Sequence, residues 1–561
     1  MRWIVISTVA LFAFYWITAA SGPEAVGAWQ DDAIYLASAK SLGEGHGYRL
    51  PHIPGEPRQT KYPILYPAVL ALLWKVYPHY PQNLWLLLAP GAAAGAGFVV
   101  LSAVVVRKML GGSRGMAVCV GALAAASPEM LSQVRYTMSD LPFAFLSVAA
   151  LLCLEGRYFT ASTPRARRGW LVASALLIAA AALTRTFGAA LCVAVVAAML
   201  LRRRLAGAGA MSAIVAACLL PWFLWRHWAA GQNGAIQAAT LDAYALDYWL
   251  WVPRQLGDLL RVGAYNAAKT VFAACFVELA LPLPWTAQAL SAVSWPLVLL
   301  HLACYATAAL VIVGLIASLR RGWKALHLYA AAYLVMMLVW PFDPSRFLNC
   351  WIPFILFFLA SAAVKLSQWG LARLAPSVRG RGLALLPAAA VGCVIAALFI
   401  HEDRAILTGS REKYSFMRQE VDLTEADRLK EWIVANTDSL DVLASNRTAE
   451  LFLATGRRGH DFAAWSDPVA AYYGPDRTWW RFFVVPANSE FQWLYDWANA
   501  HLERAYRQAR VDYYIDDAGH PMAVVMKRFL ERHPELFQQC FSTGRTYRVY
   551  RFAPTHPAIQ K

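Results

Sequence analysis

The stretch ILYPAVLALLWKVYP, residues 64–78, decides how the rest of the chain is threaded. It is apolar enough to enter a bilayer, yet it is short and carries Pro67 and Lys75. A crossing helix needs about 20 largely apolar residues. Read as a span, the stretch would reverse every later loop. Read as an interfacial helix lying on the membrane surface, it leaves the loops near residues 110, 160, 203, 321 and 373 on one side. All five are basic, in runs such as RKMLGGSRG, RARRG, RRR and LRRGWK, and short basic loops face the cytoplasm. We therefore read 64–78 as interfacial. The N-terminus is then expected inside, with the loops 21–83 and 227–293 and the tail from residue 401 outside.

The composition agrees with a membrane protein. Of 561 residues, 59% are hydrophobic and the mean hydropathy is +0.41, too apolar for a soluble chain of this size. Candidate spans are 3–20, 84–106, 115–133, 139–156, 169–184, 187–201, 208–226, 294–318, 325–341, 346–365 and 381–400. The first is read as an uncleaved helix, because its apolar run is long for a signal peptide and many spans follow. The net charge of +16 sits almost wholly in the short loops of residues 1–400, which argues for membrane anchoring and against a nucleic-acid partner. The nine cysteines fall mostly in apolar segments and show neither a disulfide framework nor zinc spacing.

The predicted fold class is mainly α: a polytopic membrane protein with about 11 transmembrane helices plus interfacial helices, and a small C-terminal α/β extracytoplasmic domain. The membrane domain covers 1–400 and the second domain 401–561. In the latter, DLTEADRLKEWIVAN reads as a helix with Thr424 and Asp427 spaced like a capping box. LDVLAS, VDYYI and TYRVYRF read as strands, and EFQWLYDWANAHLERAYRQ as an amphipathic helix. With no Gly-rich phosphate loop or metal cluster, a structural or acceptor-handling role is expected there. In the membrane part, Glu155 alone among the acidic residues falls on the cytoplasmic side. The others, Asp343 among them, collect at the opposite surface, where ionisable groups tend to be functional.

The first external loop carries the densest chemistry: DDAIYLASAKSLGEGHGYRLPHIPGEPRQTKYPILYP, residues 31–67. Tyr35, Ala39 and Leu42 follow helical spacing, and Gly43, Gly45 and Gly47 end the helix. It is expected to lie on the bilayer surface with Asp31 and Asp32 at its N-terminus. Neighbouring side chains diverge by about 100° around a helix, so one carboxylate can accept a proton while the other caps or orients. A purely structural reading makes either aspartate an N-cap, and makes Lys61 and Tyr62 an interfacial anchor with an aromatic belt residue. His52 and Arg58 lie in the same loop and are assigned no role.

This loop resembles that of the GT-C glycosyltransferases, in particular the branch with the protein O-mannosyltransferases and lipid A aminoarabinose transferases. The matching residues are Asp31, Asp32, Gly45, Gly47, Tyr48, Lys61, Pro63, Tyr66 and Pro67. Asp32 stands where many relatives have Glu. The resemblance continues in VRYTMSDLPFAFLSVAALL with Arg135 and Asp140, in LTRTFG with Arg185, in PSRFLNCWIPF with Arg346, and in ELFLATGRRG of the tail. It implies a sugar carried on a polyprenyl phosphate and moved to a lipid, glycan or protein acceptor outside the cytoplasm, in the inner membrane of a bacterium. Asp31 would be the general base, with Asp32 and Asp140 as the other carboxylates of the catalytic set. Lys61, Arg135, Arg185 and Arg346 would bind the donor phosphate. No cofactor is implied with certainty, and divalent-metal dependence stays open.

The chemistry fits the residue types. A single displacement through an oxocarbenium-like transition state inverts the anomeric centre. A carboxylate takes the acceptor proton, and fixed cations stabilise the leaving phosphate. The bland readings are an Arg135–Asp140 ion pair, an Asp343–Arg346 pair, and Arg185 or Arg346 reaching for the surface. Beyond a transferase of another group, the alternatives are a lipid or glycan transporter and a structural scaffold. The one-sided acidic residues argue against a transporter, whose site lies near the midplane.

Overall fold

The computed structural model describes residues 2–21, 26–27, 30–233, 241, 246, 255–270, 295–340, 345–374, 386–407, 423–462, 492–518 and 523–552. The order is α1 (Arg2–Ala20), α2 (Asp31–Gly43), α3 (Leu65–Val76), α4 (Leu84–Lys108), α5 (Arg114–Ala125), α6 (Pro128–Val134) and α7 (Asp140–Cys153). Then come α8 (Pro164–Thr184), α9 (Gly188–Leu201), α10 (Leu205–Gln232), α11 (Leu256–Lys269), α12 (Trp295–Leu319) and α13 (Ala325–Leu338). A 3-10 turn (Ser345–Trp351) leads into α14 (Ile352–Leu374) and α15 (Leu386–Leu407).

Among the described residues six helices are long and apolar enough to cross a membrane: Arg2–Ala20, Leu84–Lys108, Asp140–Tyr158, Pro164–Thr184, Leu205–Gln232 and Arg346–Gly370. The expected span 115–133 is broken. α5 and α6 meet at a 52° bend, because Pro128 opens α6 and holds Ser127 extended at φ −70°, ψ 128°. The expected spans near 187, 294, 325 and 381 are represented by the shorter apolar helices Gly188–Leu201, Tyr305–Leu319, Ala325–Leu338 and Ala389–His401. α3 has 12 residues, about 18 Å of helix against a hydrocarbon core of about 30 Å. It belongs with the shorter apolar helices and not with the six long ones.

The helices pack through small residues. α1 and α7 lie on α4, α8 on α7, α13 on α9, and α12 on α14. Where α12 meets α14, a Cβ on Gly314 would stand 1.9 Å from the Phe358 carbonyl oxygen, so only glycine permits that approach. Trp3, Val9, Ile17, Val193, Phe223 and Leu224 stay exposed, as lipid-facing positions require. At one end, Arg202 Nη2 donates to both Glu155 oxygens at 2.9 and 3.0 Å, and Glu155 also accepts the Ala325 N–H at 2.7 Å. Three of the basic loops are joined there.

The tail folds around a five-stranded sheet. Its elements are α16 (Leu423–Asn436), β1 (Leu443–Ala444), α17 (Thr448–Thr455), β2 (Gly459–His460), α18 (Gln492–Ala509), β3 (Tyr513–Asp517), α19 (Ala523–Arg532), β4 (Phe537–Ser542) and β5 (Tyr547–Phe552). The strand order is β2-β1-β3-β5-β4, parallel between β1 and its two neighbours and antiparallel beyond. α16 starts at Leu423, which puts Thr424 inside the helix and not at its cap.

Candidate active site

α2 begins at Asp31. Its N-cap is Gln30, at φ 58° and ψ −48°, and the Gln30 side chain makes no capping bond. Asp31 and Asp32 are therefore the first two helical residues, which corrects the reading of either as an N-cap. Both are buried, and carboxylates in the first turn gain from the helix dipole. They diverge as helical geometry requires. Asp32 turns back toward the incoming chain and accepts the Gly27 N–H at 2.9 Å. Asp31 faces inward, where Oδ1 accepts from the Tyr62 hydroxyl and Oδ2 from Arg346 Nη2 at 2.7 Å.

Asp140 opens α7, and Arg185 caps the end of α8. Arg185 donates to Asp140 Oδ2 and, at 3.3 Å, to Ser139 Oγ. The Tyr35 hydroxyl lies 2.8 Å from the same Ser139 oxygen, which ties α2 to this cluster. Arg346 Nε is 3.9 Å from Asp140 Oδ1, so one guanidinium stands between Asp31 and Asp140. Arg346 comes from the 3-10 turn, which is fastened twice. Tyr333 donates to the Phe347 carbonyl at 2.6 Å, and Asn349 to the buried Glu129 of α6. Lys61 is buried, with Nζ 4.8 Å from the centre of the Tyr62 ring. Its backbone is held by Gln59, whose Oε1 accepts the Lys61 and Tyr62 N–H groups at 2.9 and 3.3 Å. Gln59 in turn is held by Trp225 of α10, which donates to its carbonyl at 3.1 Å.

The structure thus brings together Asp31, Asp140, Lys61, Arg185 and Arg346, and points Asp32 away. Arg135 ends α6, and the ion-pair partners found for Asp140 are Arg185 and Arg346, not the Arg135 of the bland structural reading. Asp343 lies outside the described residues, and Arg346 pairs with Asp31. Tyr62 was read from sequence only as a belt residue. Its place directly after Lys61 was the one available signal for its contact with Asp31. Burial alone pushes the Asp31 carboxyl up, but the Arg346 and Lys61 charges and the Tyr62 hydrogen bond outweigh it and bring it down to about 2. Among the described residues no three His, Cys, Asp or Glu side chains are grouped to hold a metal ion.

The expectation that α2 lies on the bilayer surface needs correction. Residues 31–39 and 41 are buried, because α2 is packed against α3 on one side and α17 of the tail on the other. Its Ala and Ser residues lie on every face and leave no broad apolar stripe for lipid. The loop and the tail are joined by further bonds. Gln30 Nε2 donates to Asp461 at 2.8 Å, the Gly459 N–H to the His52 carbonyl at 2.8 Å, and Arg458 pairs with Glu56. Arg58 is clasped by α10: its backbone bonds Asn233 both ways, and its guanidinium lies 4.5 Å over Trp228.

No protein-family model matches the chain, and no curated protein matches its sequence. Its fold does have solved counterparts. It is similar to ArnT from Cupriavidus metallidurans in the apo state, at 14% identity and a TM-score of 0.53, over 98% of each chain. It is similar to the archaeal oligosaccharyltransferase AglB from Archaeoglobus fulgidus in complex with an inhibitory peptide and a dolichol-phosphate. That match has 14% identity and a TM-score of 0.53, over 99% of this chain and 75% of that one. The Archaeoglobus fulgidus oligosaccharyltransferase tethered to an acceptor peptide with the NVT sequon gives 13% identity and a TM-score of 0.55, over 99% and 74%. At these identities the likeness establishes the fold.

Proposed function

We propose that this multi-pass membrane protein is a glycosyltransferase that moves a sugar from a polyprenyl-phosphate donor to an acceptor on the extracytoplasmic side, with inversion. The observation that carries the reading is the convergence of the partly buried Arg346 and the buried Arg185 and Lys61 on the buried Asp31 and Asp140. A fold also found in an oligosaccharyltransferase solved with a dolichol-phosphate supports a lipid phosphate as the natural anion. Arg346 and Lys61, with Arg185 behind them, hold the phosphate and stabilise the charge that grows on it as the glycosidic bond breaks. Asp31 takes the proton of the attacking acceptor group.

Asp31 now spends both oxygens on Tyr62 and Arg346. A carboxylate so stabilised is a weak base. When the donor phosphate draws Arg346 and Lys61 to itself, Asp31 loses their charge and becomes a stronger one. Donor binding thus precedes and arms the proton transfer. The test is mass spectrometry of glycolipids and envelope glycans from cells with the wild-type protein, with an Asp31→Asn variant, and without the gene. A glycan mass present only with the wild type is expected; identical profiles would refute the transferase reading.

We place the protein in a bacterial inner membrane, with the N-terminus in the cytoplasm and the first loop and tail outside. Reporter fusions after residues 80 and 410 are expected to signal outside, and a fusion after residue 160 inside. A cytoplasmic signal at 80 or 410 would reverse the threading.

A further inference from the structure

The turn leading into Asp31 is held from the far end of the chain. Gln30 is not glycine, yet its φ is 58°, a conformation that persists only where the surroundings over-determine it. Its N–H bonds the Gly27 carbonyl at 3.2 Å, its carbonyl receives the Ile34 N–H at 3.1 Å, and its side chain donates to Asp461 at 2.8 Å. Gly27, at φ 87°, lies against Glu450 so closely that a Cβ would stand 2.4 Å from the carboxylate oxygen. Glu450 is in turn fixed by Arg447, 2.5 Å away, whose guanidinium also reaches the Tyr547 hydroxyl on β5. The turn is therefore tied by Asp32 from within α2 and by Asp461 of the tail, with Glu450 packed against Gly27.

From this geometry we propose that Asp461 and Glu450 are positioning residues for Asp31. The docked tail keeps Gly27 and Gln30 in the conformation that aims the Asp31 carboxylate at Tyr62 and Arg346. Losing the Gln30–Asp461 bond leaves the base misaimed while the cationic cluster, built from α8, the 3-10 turn and Lys61 with its backbone held by Gln59, stays in place. The inference rests on reading Asp31 as the base of the proposed reaction. It assigns the tail to the rate of proton transfer and not to donor binding.

The test uses the full-length protein in lipid nanodiscs, with Gln30→Ala, Asp461→Ala, their combination, and the length-swapped pair Gln30→Asn with Asp461→Glu. Hydrogen–deuterium exchange of the amides of residues 30–36 is expected to rise severalfold in each alanine variant while the α4 and α7 amides stay unchanged. Transfer from polyprenyl-phosphate sugars should fall about ten- to a hundredfold in kcat, with the affinity for undecaprenyl phosphate unaltered. The double alanine variant should be no worse than the singles, and the length-swapped pair should recover activity. Unchanged exchange overturns the proposal, and so does raised exchange with wild-type kcat or a loss confined to undecaprenyl phosphate affinity. If the wild type itself moves no sugar from any donor, the transferase reading fails, and the exchange data decide on their own whether the tail holds the turn.

Discussion

Replacing Asp31 by Asn is expected to lower kcat for sugar transfer by about a hundred- to ten-thousandfold, the range a positioned general base supplies. Asn keeps the size, and its carbonyl oxygen can still accept one of the bonds that Tyr62 and Arg346 make to Asp31. It cannot take a proton. Asp32→Asn should cost far less, since the side chain can still accept the Gly27 N–H. The pH profiles separate the base from an anchor. In the free enzyme the Asp31 carboxyl lies at about 2, so kcat/KM should show no acid limb from it near neutrality. In kcat, which reports the donor-bound state, the limb should move upward, because the phosphate competes for Arg346 and Lys61. The Asn variant should lose that limb. Near-normal turnover in Asp31→Asn, with matched expression and thermal stability, would transfer the role to Asp140. Activity in the Asn variants of Asp31, Asp32 and Asp140 alike would end the mechanism.

Much of this arrangement was legible because single residues carried it. Apolar runs marked the helices, three of the basic loops do meet at one end, and the aspartates after the first apolar helix marked the candidate site. The break between α5 and α6 was written in Pro128, but a hydropathy window averages over it. Other features depend on residues far apart in the chain. Nothing local to Asp140 says that Arg185 will reach it across 45 positions while Arg135, five residues away, looks the simpler partner. Nothing near Gln30 announces Asp461, 431 positions on. β1 and β2 have two residues each, too few to show an alternation, and exist only because β3 and the loops frame them. α2 was misread as a surface helix for a related reason. Its helical spacing of Tyr35, Ala39 and Leu42 is visible locally, but the packing of α3 and of the tail helix α17 on either side is not.

Arg346→Ala should lower transfer by about a hundred- to a thousandfold, as expected when one preorganised contact to developing charge is removed. Arg346→Lys should recover only part of it, since an ammonium lacks the planar fork that reaches Asp31 and Asp140 at once. The alanine variant has a second consequence that must be separated from the first. It leaves Asp31 buried without the guanidinium that bonds it, and breaking a buried pair from one side typically costs about 3–5 kcal/mol of stability. The combined variant Arg346→Ala with Asp31→Asn removes the stranded charge. If Arg346 only neutralises Asp31, thermal stability should fall in the single variant and return in the double, and undecaprenyl phosphate should bind the double variant as it binds the wild type. If Arg346 holds the donor phosphate, stability returns in the double variant but undecaprenyl phosphate affinity stays low. Affinity equal to that of the wild type in both variants would show that the guanidinium belongs to the scaffold, and the phosphate site would then have to be sought around Lys61 and Arg185.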